Sequence, residues 1–349
     1  MALDNPQQNL PQHDVPQDNL PEGDLPGGGL PQEASTQDDL FAEQFQAIVA
    51  NVGQAILGKH EVLELAATCL LAEGHLLIED APGVGKTSLA KALAITVQAE
   101  FGRIQFTPDL LPTDVVGATI WNRVANTLDF QPGPVFSGII VADEINRASP
   151  KTQSALLEAM AERQVTVDGT THHLPRPFMV IATQNPLEHE GTYPLPESQL
   201  DRFMMRIEVG YPSAQAELDI LDAHSVNSPL DSLRPVLDSQ AVATLADHAA
   251  SVFTAPGIRR YLVQIANATR QHPSLVLGMS TRATLALQQA SRVRAAAQGR
   301  DYVLPDDIKE LAVPVLAHRL MLSPQARAQG TPGARIVDEI MGSVATPVG

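Results

Sequence analysis

Residues 75–87 read His75-Leu-Leu-Ile-Glu-Asp-Ala-Pro-Gly-Val-Gly-Lys-Thr87, a short apolar run that passes directly into a glycine loop. The apolar run predicts a strand, and residues 87–97 have the spacing of a helix. Glycines let a backbone loop turn its N–H groups toward a phosphate, and the helix that follows points its positive end at the same anion. A strand, a glycine loop and a helix in this order predict a P-loop that binds a nucleotide.

The loop contains the groups that are needed to bind a nucleoside triphosphate. The predicted binding residues are Pro82, Gly83, Val84, Gly85, Lys86, Thr87 and Ser88. Lys86 would place a positive charge near the β- and γ-phosphates of ATP, and the Thr87 hydroxyl would bind Mg²⁺. Asp80 stands where the usual pattern has its first glycine. The alternative is a chance Gly-Lys-Thr turn, and the flanking strand and helix argue against it.

A second apolar run, residues 139–142, ends in two acids. Asp143 is placed to bind the nucleotide and to hold Mg²⁺, and Glu144 to orient the attacking water and accept its proton. A pair of solvated acids at a strand end is the alternative, and it loses weight because a phosphate loop precedes the pair by about sixty residues.

Three further polar residues are candidates for the catalytic set. Asn185 ends a third apolar run and could reach the γ-phosphate and the water, although an asparagine before Pro186 also suits a simple turn. Arg202 and Arg282 could stabilise charge on the transferred phosphoryl group. A surface salt bridge is the alternative for each arginine.

Composition and charge limit the classes of partner. The formal net charge is -17, and no run of Lys or Arg occurs, which argues against nucleic acids and anionic membranes as partners. No apolar run approaches the ~20 residues that span a bilayer. The N-terminus is polar and acidic, unlike a secretory signal, so the expected compartment is the cytoplasm. Cys69, the single cysteine, is expected to be a buried structural thiol.

The pattern of apolar runs divides the chain into three parts. Residues 1–39 are rich in Pro and acids and are expected to be a disordered tail, the alternative being a docking motif built on Leu-Pro pairs. In residues 40–211 strands alternate with helices, with strands expected at 75–79, 139–142, 178–182 and 206–209, which predicts an α/β domain with a parallel sheet between helical layers. Residues 212–345 predict helices alone.

With these pieces in order, the chain resembles the MoxR family of AAA+ ATPases over roughly residues 44–345. The most specific stretch runs from Ala142-Asp-Glu-Ile-Asn-Arg-Ala-Ser-Pro to Met160. A second runs from Ala182-Thr-Gln-Asn-Pro-Leu-Glu188 to Gln199-Leu-Asp-Arg-Phe203. The resemblance implies the AAA+ form of the P-loop NTPase fold, with a three-layer core and an all-α lid. It also implies that an aspartate at the position of Asp80 is usual in this family.

The resemblance implies roles for the polar residues and for the assembly. Asn185 would be sensor 1, Arg202 an arginine finger acting on the neighbouring subunit's nucleotide, and Arg282 a sensor 2 in the lid of its own subunit. Residues 106–130 and the hairpin at 164–174 would be inserts that point toward a central pore. The family forms hexameric rings that act as chaperones on partner protein complexes, and the partners often carry von Willebrand A-type domains.

Two alternative functions stay open at this point. A ring with the same inserts could be a metal-chelatase subunit or could remodel DNA, although the acidic balance disfavours DNA. The chain could also be a non-catalytic scaffold that holds nucleotide as a structural ligand, which the intact Asp143–Glu144 pair disfavours.

Overall fold

The computed structural model describes residues 37–185, 192–223 and 229–347. In chain order the first part contains α1 (Gln37–Gly53), α2 (His60–Leu71), β1 (Leu76–Glu79), α3 (Lys86–Thr96), β2 (Phe101–Gln105), α4 (Pro112–Val116), β3 (Gly117–Asn122), β4 (Thr127–Pro132), β5 (Ile139–Asp143), α5 (Pro150–Glu162), β6 (Gln164–Val167), β7 (Thr170–His173), β8 (Met179–Gln184), α6 (Glu197–Leu200) and β9 (Met205–Ile207). Two 3-10 turns, Pro134–Phe136 and Ile145–Arg147, flank β5.

Five strands form one sheet in the order β2-β5-β8-β1-β9, and every neighbouring pair is parallel. Successive residues of a strand face opposite sides of a sheet. Leu76 and Ile78 of β1 accordingly pack with α1, α2 and α3, whereas Leu77 packs with α5 on the other face. The fold is therefore the three-layer α/β core that the sequence predicted.

The edge strand β2 is one that the sequence analysis missed. Its residues Phe101-Gly-Arg-Ile-Gln105 alternate between buried and exposed positions instead of forming an apolar run. Such alternation is typical of a strand with one buried face and one exposed face. β2 pairs with β5 along its whole length, from Phe101 opposite Ile139 to Gln105 opposite Asp143.

The C-terminal part is mainly helical, as predicted. It contains α7 (Ala214–Ala223), α8 (Pro229–Ser232), α9 (Ser239–Ser251), α10 (Pro256–Gln271), β10 (Leu275–Leu277), α11 (Thr281–Ala297), α12 (Pro305–Leu316), the 3-10 turn Ala317–Arg319, β11 (Met321–Leu322), α13 (Pro324–Ala328) and α14 (Gly333–Ser343). The expectation that strands stop after residue 211 was too strict, because β10 and β11 pair as a short antiparallel ribbon. Ribbons this short lack the apolar run by which a strand is recognised.

Both predicted inserts contain antiparallel hairpins, β3–β4 and β6–β7. The rings of Phe130 and His172 stack at 4.1 Å between centroids and connect the two hairpins. Several large apolar side chains of the first insert are exposed, Ile120, Trp121, Val124 and Leu128. Among the described residues, no helix is both long and apolar enough to cross a bilayer.

The described residues, from Gln37 onward, belong to a single compact unit, so the division near residue 211 stays a prediction. Of the predicted tail, residues 1–36 lie outside the described part of the chain. The helix α1 begins at Gln37, within the last three residues of the predicted tail, and Asp38 in its first turn lies 2.8 Å from Nε2 of His248. Cys69 is buried as expected, and burial raises the pKa of its thiol.

Candidate nucleotide site

Three segments predicted to act on ATP meet at the carboxyl edge of the sheet. The phosphate loop follows β1, Asp143 is the last residue of β5, and Asn185 comes directly after β8. Since β8 lies between β5 and β1, Asn185 is placed between the loop and the two acids. The carboxyl edge is where open α/β sheets bind their ligands.

The backbone of the phosphate loop requires glycine at two positions. Gly83 has a φ of 86° and Gly85 a φ of 90°, values that side-chain-bearing residues rarely adopt. A Cβ atom added to either glycine would meet nothing within 4 Å. The requirement is therefore conformational, and the space beside the loop is open. Gly85 immediately precedes α3, so the helix begins with Lys86, Thr87 and Ser88, which are half-buried.

Lys86 lies within electrostatic reach of both acids. Its Nζ donates to the backbone oxygens of Asp80 and Ala81 at 2.7 and 3.2 Å, so the side chain folds over its own loop. Burial lowers the pKa of the ammonium group, and the charges of Asp80, Asp143 and Glu144 act in the opposite direction. The structure thus brings together the lysine and the acid pair that the sequence assigned to one pocket.

Asp80 has a structural role that explains its departure from the glycine pattern. One carboxylate oxygen accepts from the backbone N–H of Ala81 at 2.8 Å, and the other accepts from Gly210 N at 2.5 Å. The side chain therefore connects the phosphate loop to the segment that follows β9. A glycine at residue 80 could make neither contact.

Thr183 joins the two acids and was missed by the sequence analysis. Its hydroxyl donates to Asp143 Oδ1 at 3.3 Å and accepts from the backbone N–H of Glu144 at 3.0 Å. Glu144 has a φ of 54°, which turns the chain sharply after β5. The carboxylate of Asp143 and the backbone N–H of Glu144 therefore share one hydrogen-bond partner, the Thr183 hydroxyl.

Side chains from β2 extend this contact into a network. Arg103 Nε donates to Asp143 Oδ2 at 2.8 Å and Nη2 to Gln105 Oε1 at 3.3 Å. Gln105 Nε2 and Arg147 Nη1 each donate to Glu144 Oε2 at 3.0 Å. The polar positions of the alternating β2 sequence were the only signal for Arg103 and Gln105, and that strand was not predicted.

Arg202 and Arg282 lie at the opposite edge of the sheet. Arg202 follows α6 just before β9, and Arg282 lies in the first turn of α11. Both line a cavity of about 280 Å³ whose wall also includes Gly74 and His75, the residues that precede β1. A four-residue strand is about 10 Å long, so this cavity and the phosphate loop are separated by at least the length of β1.

This geometry corrects one expectation. The resemblance implied that Arg282 faces the nucleotide of its own subunit, but the structure puts it beside Arg202 and away from Lys86. The reason is that α11 begins next to the segment that enters β9, where the Ser280 hydroxyl donates to Asp201 at 3.0 Å. Arg202 itself donates from Nη1 to the backbone oxygen of Leu157 at 2.7 Å.

Comparisons with known proteins agree with the fold and with the loop. Residues 75–205 match the model of the ATPase family associated with various cellular activities, and residues 267–340 match the AAA lid domain. Chaperone MoxR1 of Mycobacterium tuberculosis is 41% identical over 308 residues, which cover 86% of this chain and 81% of the relative. The chain belongs to the MoxR family of AAA ATPases.

Two more proteins are similar to this chain over most of its length. Protein YeaC of Bacillus subtilis is 49% identical over 86% of this chain and 94% of its own length. The crystal structure of a candidate ATPase from Cytophaga hutchinsonii superposes with a TM-score of 0.83 at 36% identity and covers 89% of this chain and 97% of that one. This MoxR-family chain is therefore an ATP-binding protein and an ATPase.

Proposed function

We propose that this MoxR-family ATPase works as a homo-oligomer, hexameric by its family resemblance, in which each ATP is hydrolysed between adjacent copies to remodel a partner protein complex. The observation that carries the proposal is the division of the predicted site. Lys86, Asp143 and Glu144 share the carboxyl edge of the sheet, whereas Arg202 and Arg282 line a cavity at the amino edge. Because the two edges are separated by at least the length of β1, the residues of both edges in one copy cannot contact the same nucleotide.

Within one copy, the carboxyl edge would bind ATP and activate water. The open space beside Gly83 and Gly85 accommodates phosphates, with Lys86 as the cation nearest to them. Glu144 would accept the proton of the attacking water, and Asn185, at the neighbouring strand end, would orient that water. Glu144 must then exchange its contacts with Gln105 and Arg147 for the water.

Mg²⁺ is the metal that this donor set suits. Across the described residues, no three His, Cys, Asp or Glu side chains converge as a metal site. The metal would therefore be held jointly by Asp143, the Thr87 hydroxyl and the phosphates, which matches the preference of Mg²⁺ for few protein ligands. It would supply neutralisation of phosphate charge.

The adjacent copy would supply the arginines. Arg202 and Arg282 share one cavity, so both are placed to approach the same phosphate of a neighbour. A guanidinium group that reaches the γ-phosphate stabilises the charge that develops during transfer, and a trans arginine is worth about 10³–10⁵ in rate.

The two hairpins are the surface on which we expect a client protein. The exposed Trp121 and Leu128 of the β3–β4 hairpin form an apolar patch of the kind that binds protein. The stack of Phe130 on His172 would carry movement from the second hairpin to this patch. A client complex, with a von Willebrand A-type subunit as the expected partner class, fits the chaperone name of the Mycobacterium tuberculosis relative.

Mixed assemblies test the shared site. Arg202→Ala and Lys86→Ala chains should each be inactive alone in phosphate release. Mixed at equal amounts, they should regain activity, because a Lys86→Ala chain can present its intact Arg202 to an intact phosphate loop. Absence of recovery, with both variants still assembling by sedimentation, would contradict a trans arginine.

The client is tested with a trapped ATPase. A Glu144→Gln chain loaded with ATP should retain the client in a pull-down, and Trp121→Ala in the same background should release it. Single-stranded DNA that stimulates phosphate release would instead favour a DNA-remodelling role, and absence of any ATP turnover would favour a scaffold.

A further inference from the structure

Arg319 is a buried cation that the nucleotide chemistry does not use. It ends the 3-10 turn after α12 in the lid, and only 5% of its surface is exposed. Burial lowers the pKa of its guanidinium group to about 10, against the opposing effect of the Asp201 charge. A buried charge is costly unless hydrogen bonds compensate it, so its partners indicate what it does.

The partners of Arg319 surround Arg202. Nη2 donates to the backbone oxygens of Phe203 at 2.6 Å and of Met204 at 3.4 Å. Nη1 is buried, lies 3.6 Å from a carboxylate oxygen of Asp201 and has no hydrogen-bond partner. Arg319 therefore holds the residue before Arg202 and the two residues after it.

A second lid residue holds the same segment. The Ser280 hydroxyl lies 3.0 Å from each oxygen of the Asp201 carboxylate, and its Oγ also accepts from the backbone N–H of Ala283 at the start of α11. The lid thus contacts the segment 201–204 from two places, one at α11 and one after α12. On the side of the core, the Arg202 side chain donates to Leu157 O of α5.

Arg202 consequently lies in a segment that contacts the lid on one side and α5 of the core on the other. A shift of the lid would pull on Asp201 and on the Phe203 carbonyl, and the residue between them would have to follow. An error of about 1 Å in the placement of a catalytic group can cost about 10² in rate. Small changes in the lid would therefore have large effects on an arginine presented to phosphate.

We infer that Arg319 is a positioning residue for Arg202, through which the lid of each copy controls the arginine that this copy presents to its neighbour. The inference rests on the proposed trans role of Arg202. It gives the assembly a route by which the state of one lid changes hydrolysis at the adjacent nucleotide rather than at its own.

The test uses Arg319→Ala in the full-length chain, with Arg335→Ala as a matched lid control, because Arg335 is 70% exposed on α14. Arg319→Ala should lower steady-state phosphate release at least tenfold and leave ATP affinity, measured by calorimetry, within about twofold. Arg335→Ala should change neither quantity. An equal loss of affinity and rate would contradict positioning and indicate damage to the variant's own nucleotide pocket.

Mixed assemblies give the readout that a merely structural role would not produce. Arg319→Ala mixed with Lys86→Ala should recover activity, because the second chain presents a correctly held Arg202. Arg319→Ala mixed with Arg202→Ala should not recover, since neither chain presents an effective arginine. The double variant Arg202→Ala/Arg319→Ala should be no slower than Arg202→Ala alone, because one defect acts through the other.

Failure of the inference and failure of the proposed function give different patterns. If Lys86→Ala rescues Arg202→Ala but not Arg319→Ala, Arg319 does not act through Arg202, while the shared site stands. If Lys86→Ala rescues neither variant, the trans arrangement is wrong and the inference with it. Should Arg319→Ala fail to fold, Arg319→Lys and Asp201→Asn are taken through the same mixtures and judged by the same outcomes.

Discussion

The two edges of the parallel sheet carry different sets of charged side chains. At the carboxyl edge, Lys86 lies within reach of the acids Asp80, Asp143 and Glu144. At the amino edge, Arg202, Arg282 and Arg319 line one cavity, with Asp201 beside them. In the proposed function, the carboxyl edge would bind the phosphates and activate water, and the amino edge would stabilise the developing negative charge. We therefore propose that each edge is half of a hydrolytic site.

The largest expected effect separates binding from chemistry at the amino edge. Arg202→Ala should lower the rate of ATP hydrolysis by about 10³–10⁵, because the transferred phosphoryl group loses a guanidinium partner. ATP affinity should stay within about twofold, since the binding groups lie at the other edge. Rates come from phosphate release and affinities from calorimetry.

The control for that measurement is Arg260→Ala, which removes an exposed arginine of α10. It should leave both the rate and the affinity unchanged. An Arg202→Ala chain that loses affinity as strongly as it loses rate would break the comparison, because Arg202 would then be a binding residue.

The next effect belongs to the carboxyl edge. Glu144→Gln should lower hydrolysis by about 10²–10⁴ while ATP remains bound, because the amide cannot accept a proton from water. The glutamine can still accept hydrogen bonds from Gln105 and Arg147, so the local structure should persist. The matched control is Glu158→Gln, at an exposed position on α5. Near-normal turnover by Glu144→Gln would mean that Glu144 is not the base.

The carboxyl edge was also the more predictable of the two. Gly83, Gly85 and Lys86 follow one another in the sequence, and their conformations are dictated locally by positive φ values and by the start of a helix. Four of the five strands were predicted, three of them because their apolar runs are local signals. Asp143 and Glu144 were found because they end such a run.

The amino edge depends on contacts between distant parts of the chain, which no local pattern contains. Ser280 and Asp201 are 79 positions apart, and Arg319 and Phe203 are 116 apart. The resemblance placed Arg282 at the nucleotide of its own subunit. In the structure, Arg282 lines the cavity at the amino end of β1. Arg103 and Gln105 were missed for a related reason, because an alternating edge strand gives a weaker signal than a buried one.

The pH dependence of stability sharpens the comparison at the amino edge. His75 lies in the wall of the arginine cavity, where its Nδ1 accepts from Val180 N and its Nε2 donates to Met160 O, each at 3.1 Å. Burial lowers its pKa from 6.5 to about 4. The unfolded chain therefore binds a proton that the folded chain rejects, and stability falls as the pH decreases from about 6.5 to about 4.

We expect this histidine to reduce the free energy of unfolding by about 2 kcal/mol between pH 7.5 and pH 5. The free energy of unfolding is measured with urea at both pH values. The difference between the two values should be smaller by about 2 kcal/mol in His75→Gln than in the unmodified chain. His60→Gln is the control, because His60 is 68% exposed and its loss should preserve the difference. An identical pH difference in all three chains would mean that folding does not lower the pKa of His75.

The smallest expected effect concerns Arg103, one of the arginines at the carboxyl edge. Arg103 pairs with Asp143 at 2.8 Å, on the carboxylate predicted to hold Mg²⁺, and its side chain is 55% exposed. Because an exposed ion pair is worth about 0–1 kcal/mol, Arg103→Ala should tighten Mg²⁺-dependent ATP binding by at most about fivefold, measured by calorimetry at several Mg²⁺ concentrations. Arg123→Ala, an exposed arginine of the same α/β part, should have no effect. Weaker binding in Arg103→Ala would mean that Arg103 contacts phosphate directly. An arginine would then act on the nucleotide at the carboxyl edge as well as at the amino edge.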